Sequence, residues 1–343
     1  MTSDMYREIH EQPEVLTTIL EEEWETVAHA ARTLRSRGFR FAMLAARGTS
    51  DNAALYAKYL FEIRLGVPVS LASPSTFTLY ESEMNLEDVL VIGISQSGES
   101  KDVLEVLRRS RQLGAITLSV TNDESSSLAS AADVHLWLHA GRETSVAATK
   151  TYTAELLLLY LLISALEERS KSEPEVEQLP DKAKQVLDVA WEGLDRYRYA
   201  NYMTVASRGY NFATAKEAAL KLMETTYTVT EAFSEADLRH GPMAMIGRDF
   251  PVVLIVPPGR AYQSMDLLAK GLASRGAELA VIGEEPDLVG EAAAGFLVPV
   301  SCPEELSPIL YALPAQLLAH SVAELRGLDP DSPRGLSKVT ETW

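Results

Sequence analysis

The amino-acid sequence predicts an α/β chain made of two tandem copies of one plan, each a parallel sheet flanked by helices. Two observations carry this. Apolar, strand-like runs alternate with helix-like segments along the chain, the pattern of a parallel sheet with helical crossovers. The second half also repeats the first at a near-constant offset of about 161 positions. Arg47-Gly48 meets Arg208-Gly209, residues 91–94 meet 252–255, and 114–118 meet 276–280.

In the first copy, residues 39–45 read as a strand and 52–64 as a helix. A short strand follows at 68–72, then the apolar strand 89–94, a helix over 101–113, and strands at 116–120 and 135–138. A long helix over 149–169 closes the copy, and 309–325 is its counterpart. Between the copies, residues 170–180 are polar with two prolines and read as a linker. The expected boundaries are 1–169 for a first domain with an N-terminal helical arm, 170–181 for the linker, and 182–343 for a second domain with a C-terminal tail.

A chain of 343 residues is long enough for two domains of ordinary size. The net charge of −18 argues against nucleic acid or an anionic bilayer as partner. It also requires that an anionic ligand be held by a local site rather than drawn in by the whole molecule. Cys302 stands alone, which excludes an internal disulfide framework and suits a reducing compartment. No basic and apolar leader follows Met1, and the apolar run 156–166, interrupted by Tyr160 and Ser164, is too short to span a membrane. The expected location is the cytoplasm.

Directly behind the strand at 89–94 lies Ser95-Gln96-Ser97-Gly98-Glu99-Ser100. A strand that ends in a Ser/Gly loop and then opens a helix suits a phosphate: hydroxyls and amides point at the anion, glycine lets the backbone approach, and the helix N-terminus is positive. A second loop, Arg47-Gly48-Thr49-Ser50-Asp51, follows the first strand. Alone it reads first as a helix N-cap. Beside the first loop, at the carboxyl ends of parallel strands, it reads as part of one ligand crevice. The counterpart loop in the second copy is Val256-Pro257-Pro258-Gly259-Arg260, where prolines remove two amide donors. The first copy is therefore expected to hold the phosphate.

Residues 141–150 read as a capped helix start, with Thr144 or Ser145 as the cap. Glu217, Lys221 and Glu224 share one helix face, which on periodicity alone is a solvated ladder of charges. His240, in Arg239-His240-Gly241-Pro242, reads as a loop residue held in a turn, and residues 329–338 read as a disordered end. No metal-ligand spacing, nucleotide-binding motif or nucleophile elbow occurs, so no metal and no cofactor are expected.

Together, Gly48-Thr49-Ser50, the loop 95–100, and the segments 146–150, 218–224, 240–242 and 333–338 resemble the tandem SIS-domain (sugar isomerase) family over nearly the whole chain. The resemblance includes the isomerase half of glucosamine-6-phosphate synthase and the SIS-type glucosamine-6-phosphate deaminases. It implies a flavodoxin-like, three-layer α/β/α fold in each domain and a small-molecule sugar phosphate as ligand. Thr49, Ser95, Gln96, Ser97 and Ser100 are then the phosphate and sugar-hydroxyl contacts, with Gly48, Ser50, Val146 and Ser337 beside them and Arg47 lending positive charge. Glu224 matches the carboxylate that moves a proton between C1 and C2, and Lys221 a lysine that supports it. His240 matches a ring-opening acid/base that reaches the site from a neighbouring subunit, which implies a homodimer with shared active sites. Lys338 matches a tail lysine that forms an imine with the keto sugar.

Two departures bear on the reaction. Arg47 stands where the synthase carries a cysteine, and Ala147-Ala148-Thr149-Lys150 replaces Ala-Ser-Thr-Lys; both resemble the deaminase branch. No glutaminase segment with an N-terminal cysteine precedes the repeat, so the chain is not expected to use glutamine by itself. The expected reaction is glucosamine 6-phosphate and water to fructose 6-phosphate and ammonia. The alternatives are a synthase-like isomerase fed with ammonia, a deglycase on a related sugar phosphate, and a sugar-phosphate sensor without turnover. For the sensor, the acidic arm at 8–37 is a short substitute for a DNA-binding head.

Overall fold

The computed structural model describes residues 3–169 and 173–338; residues 170–172 of the expected linker lie outside the described residues. Two compact bodies result, each built on a five-stranded parallel sheet. No helix among the described residues is long and apolar enough to cross a membrane.

The first body comprises Glu14–Glu143, Lys150–Glu177 and the chain from Leu336. Its strands are β1 (Phe41–Ala45), β2 (Val69–Leu71), β3 (Val89–Ser95), β4 (Ile116–Thr121) and β5 (Val134–Trp137), in the order β2-β1-β3-β4-β5. Every residue of β3 is buried, as its unbroken apolar run requires of a central parallel strand. The helix Lys101–Gln112 lays Val103, Val106, Leu107 and Ser110 along one face, packed on Met43, Val91 and Leu128. Strand order reverses between β1 and β3, so the loops after them flank the switch point where open α/β sheets bind ligands.

The second body comprises the residues up to Pro13, Thr144–Thr149 and Gln178–Gly335. Its strands are β6 (Tyr202–Ser207), β7 (Val229–Ser234), β8 (Pro251–Val256), β9 (Glu278–Gly283) and β10 (Ala294–Leu297), ordered β10-β9-β8-β6-β7. Read from the other edge this is the order of the first sheet, so the internal repeat is one of topology as well as sequence. Leu254, Val281, Leu268 and Leu272 centre its core. Both bodies have the expected three-layer α/β/α arrangement.

Three local readings change. The described residues of the expected linker are largely helical, in the helices Pro174–Glu177 and Leu179–Leu187. Pro180 lies in the first turn of the latter helix, where a missing amide costs nothing. The tail is ordered as far as Lys338, and the Asp331 carboxylate accepts the amides of Asp4 and Met5 at 2.7 Å each. The long helix of the first body runs Lys150–Leu166, shorter at both ends than expected.

Candidate functional site

In the first body, β3 ends at Ser95 and the chain turns at Gly98, which has φ +66°. A Cβ there would lie 2.2 Å from Ser126 Oγ, so only glycine lets the loop pack so closely. The loop orders its own hydroxyls. Ser95 Oγ accepts the Gly98 amide at 3.2 Å and Ser97 Oγ accepts the Glu99 amide at 3.3 Å. Among the described residues neither hydroxyl proton has an acceptor, so both are available to an anion. Ser100 differs, because its hydroxyl donates to Asp102 Oδ1 at 2.9 Å. Towards a ligand Ser100 therefore offers lone pairs, which suit a sugar O–H better than a phosphate oxygen. The backbone carbonyl of Gln96 accepts the Asn122 amide at 3.0 Å, and its side chain is half-buried.

Gly48, with φ +56°, turns the chain out of β1 so that Thr49 opens the helix Thr49–Leu60. Arg47 reaches the neighbouring loop and donates from Nε to Asp102 Oδ2 at 2.5 Å. An anion there meets an ion pair rather than a lone cation. The buried Asp102 carboxylate thus ties together Arg47, Ser100 and the Val103 amide (2.9 Å). Ser50 turns inward and donates to Glu155 at 2.7 Å, away from its neighbour Thr49.

The tail lysine belongs to this body too. Lys338 Nζ lies 2.7 Å from Glu143 Oε2, and the side chain of Glu143 is wholly buried. Glu143 also accepts the amide (3.2 Å) and hydroxyl (2.8 Å) of Thr151, so it caps the long helix in place of Thr144 or Ser145. Ser337 precedes the lysine on the exposed tail.

In the second body, the amides of Thr144 and Ser145 are taken by the buried carboxylate of Glu8, which fixes the short segment bearing the half-buried Val146. The expected charge ladder on the helix Phe212–Thr226 is not solvated. Lys221 and Glu217 are each 1% exposed, with Nζ 3.3 Å from Glu217 Oε1 and 2.6 Å from Glu224 Oε2, while Glu224 is 22% exposed. Burial alone lowers the pKa of Lys221, but the two carboxylates outweigh it and hold the ammonium well above its usual value. One carboxylate with an open side is therefore backed by a buried, permanently charged cation. His240 caps the short helix Glu235–Arg239 and is exposed; among the described residues its imidazole has no hydrogen-bond partner.

Sequence reasoning missed Asp102 and Glu143. Asp102 carries the weak signal of an acid in a first helical turn, whereas nothing local distinguishes Glu143. Among the described residues no three His, Cys, Asp or Glu side chains converge as a metal site.

The SIS domain family matches residues 40–165 and 197–325. The chain is 33% identical over 340 residues to the isomerizing glutamine–fructose-6-phosphate aminotransferase of Aquifex aeolicus, covering 98% of this chain and 57% of that protein. It thus spans a little over half the length of the curated relatives it matches. Among solved structures it is similar to the C-terminal domain of glucosamine-fructose-6-phosphate aminotransferase from Francisella tularensis, with a TM-score of 0.85 and 27% identity over 97% of this chain and 98% of that one. It is also similar to glucosamine-6-phosphate deaminase from Thermotoga maritima, with a TM-score of 0.79 over 99% of this chain and 100% of that one. At 24% identity the latter likeness speaks for the fold alone.

Proposed function

The chain belongs to the SIS-domain family, and from that premise we propose that it is an amino-sugar phosphate isomerase and deaminase, converting glucosamine 6-phosphate and water to fructose 6-phosphate and ammonia. The observation that carries this reading is Glu224, a part-exposed carboxylate hydrogen-bonded at 2.6 Å to the buried Lys221. Moving a carbon-bound proton to the next carbon requires one positioned base that gives back what it takes.

In this reading the phosphate is held by the hydroxyl protons of Ser95 and Ser97 and by Thr49, with Ser50 and Gly48 shaping the loop, while Gln96, Ser100, Val146 and Ser337 face the sugar. His240 of a second copy in a homodimer opens the ring, protonating the ring oxygen as the C1 hydroxyl loses its proton. Glu224 then takes the C2 proton and returns it to C1, leaving an imine at C2. Water adds to that imine and ammonia leaves. The Lys338 amine holds the keto sugar, with Glu143 receiving the proton that the ammonium must lose before it can act as a nucleophile. Binding energy from the remote phosphate holds the scarce open-chain form at the reacting groups.

The test is to incubate the pure chain with glucosamine 6-phosphate and measure ammonia and fructose 6-phosphate. Wild type should exceed Glu224→Gln by about 10²–10⁴-fold; equal rates sink the proposal. The similarity to aminotransferases supports a second reading, the reverse direction fed by free ammonia. Glucosamine 6-phosphate formed from fructose 6-phosphate and ammonium, with no measurable release in the forward assay, would favour it.

A further inference from the structure

The second body has a topological switch point like that of the first, the place where open α/β sheets form a crevice. Strand order reverses between β6 and β8 as it does between β1 and β3. The loops after β6 and β8 carry Gly209 and Gly259, the repeat counterparts of Gly48 and Gly98, and all four have positive φ. Pro257 and Pro258 remove two amides, but those of Arg260 and Ala261 remain, at the places of Glu99 and Ser100 in the first copy. Both are taken by one side chain: Arg260 N donates to Glu304 Oε2 at 2.9 Å, and Ala261 N to Oε1 at 3.3 Å.

The surrounding glycines fit this occupant. A Cβ on Gly259 would lie 2.5 Å from Glu304 Oε2 and 2.9 Å from its carboxyl carbon. A Cβ on Gly209, in the other loop, would stand 3.7 Å from Oε1. A single carboxylate therefore sits against both loops of the crevice, carried in by the segment that leads into the helix Ser307–Leu325.

We infer that Glu304 is an internal anion that fills the second crevice, so that the chain offers one sugar-phosphate site and not two. The inference deepens the reading above, on which it rests for the phosphate role of the first crevice. The crevice without its carboxylate is a site for a small carboxylate or a phosphate group.

The experiment measures the melting temperature of the full chain as wild type, Glu304→Ala and Glu304→Gln, in chloride, acetate or inorganic phosphate at matched ionic strength. Each is repeated on a Ser95→Ala/Ser97→Ala background, which removes the first-crevice donors. Glu304→Ala should melt about 2–4 °C lower in chloride, and acetate or phosphate should restore at least half of that on both backgrounds. Glu304→Gln still fills the crevice and should not respond to these anions. A Glu304→Ala chain that melts like wild type, or one that chloride rescues as well as acetate, overturns the inference. Should Glu304→Ala be insoluble, purification in acetate must recover it, and failure to do so has the same force. The phosphate reading of the first crevice fails separately, by wild type and Ser95→Ala/Ser97→Ala responding alike to phosphate.

Discussion

Replacing Lys221 by methionine isolates the physics of the carboxylate–lysine cluster. Methionine keeps most of the side-chain volume, so the cavity contribution is small. What is lost is a cation 3.3 Å from Glu217 Oε1 and 2.6 Å from Glu224 Oε2. With an effective dielectric of about 20, those contacts are worth roughly 5 and 6 kcal/mol of Coulomb attraction. Against this, the ammonium no longer has to be desolvated, which returns several kcal/mol. Glu224 can turn to water, but Glu217 is 1% exposed and cannot. The net expectation is a loss of about 3–5 kcal/mol, the usual cost of removing one partner from a buried pair. Since domains are stable by about 5–15 kcal/mol, this is a large fraction.

Urea unfolding followed by circular dichroism, at pH 7.5 and at pH 5.5, measures it. A buried carboxylate deprived of its cation is relieved by taking up a proton, so the variant should recover part of its deficit at the lower pH. The double variant Glu217→Gln/Lys221→Met carries no fully buried charge at this point, and should be at least about 2 kcal/mol more stable than Lys221→Met at pH 7.5. A deficit below about 1 kcal/mol, equal deficits at both pH values, or a double variant no better than the single would refute the account.

Two further outcomes follow from particular hydrogen bonds. Losing the Ser95 and Ser97 donors should weaken binding of glucosamine 6-phosphate by about 10–100-fold for each, at roughly 1.5–3 kcal/mol per bond to a charged acceptor, and should leave binding of glucosamine unchanged; equal losses for both sugars by titration calorimetry would exclude a phosphate role. His320 is buried beside Ser3 Oγ (2.8 Å), Glu324 (3.7 Å) and the Tyr6 ring (5.2 Å), and burial lowers its pKa from the usual 6.5. The unfolded chain therefore binds the proton first, and stability should decline as pH falls below about 6.5. His135, also lowered by burial, acts with the same sign, so His320→Gln should reduce the acid slope of the urea midpoint without abolishing it.

The strands and the switch-point loops were legible because their causes are local. An unbroken apolar run becomes a central parallel strand, and a Ser/Gly sequence behind it becomes a turn that only glycine at 98 can make. The proton directions were not legible. Thr49 and Ser50 are adjacent in sequence, yet successive residues of a helix point about 100° apart, and Ser50 ends on Glu155, 105 positions away. Ser100 reads like Ser95 and Ser97 until Asp102 claims its proton. Lys338 shows why tail composition misleads: a few distant partners, the amides of Asp4 and Met5 for Asp331, Tyr227 for Arg334 and the buried Glu143 for Lys338, hold a Pro- and Gly-bearing segment as far as that lysine. The helical turns of the linker were hidden for a related reason, since proline breaks a helix in its interior but starts one at its first turn.

The repeat also explains why the charged cluster calls for a functional account. At the offset that aligns Gly48 with Gly209, Glu217, Lys221 and Glu224 fall on Tyr56, Leu60 and Ile63 of the first copy. Tyr56 and Leu60 are fully buried there, and Ile63 is exposed. The same helix position is thus a plain core contact in one copy and a buried lysine between two carboxylates in the other, and the burial profile hardly changes. The fold accepts leucine at this point, as the first copy demonstrates within the same chain. Because apolar replacement of a whole buried ion cluster is often neutral or stabilising, stability gives no reason for the second copy to keep lysine and carboxylates together there. The proposed role of Glu224 supplies one, since it calls for a carboxylate held in place from behind and open on one side.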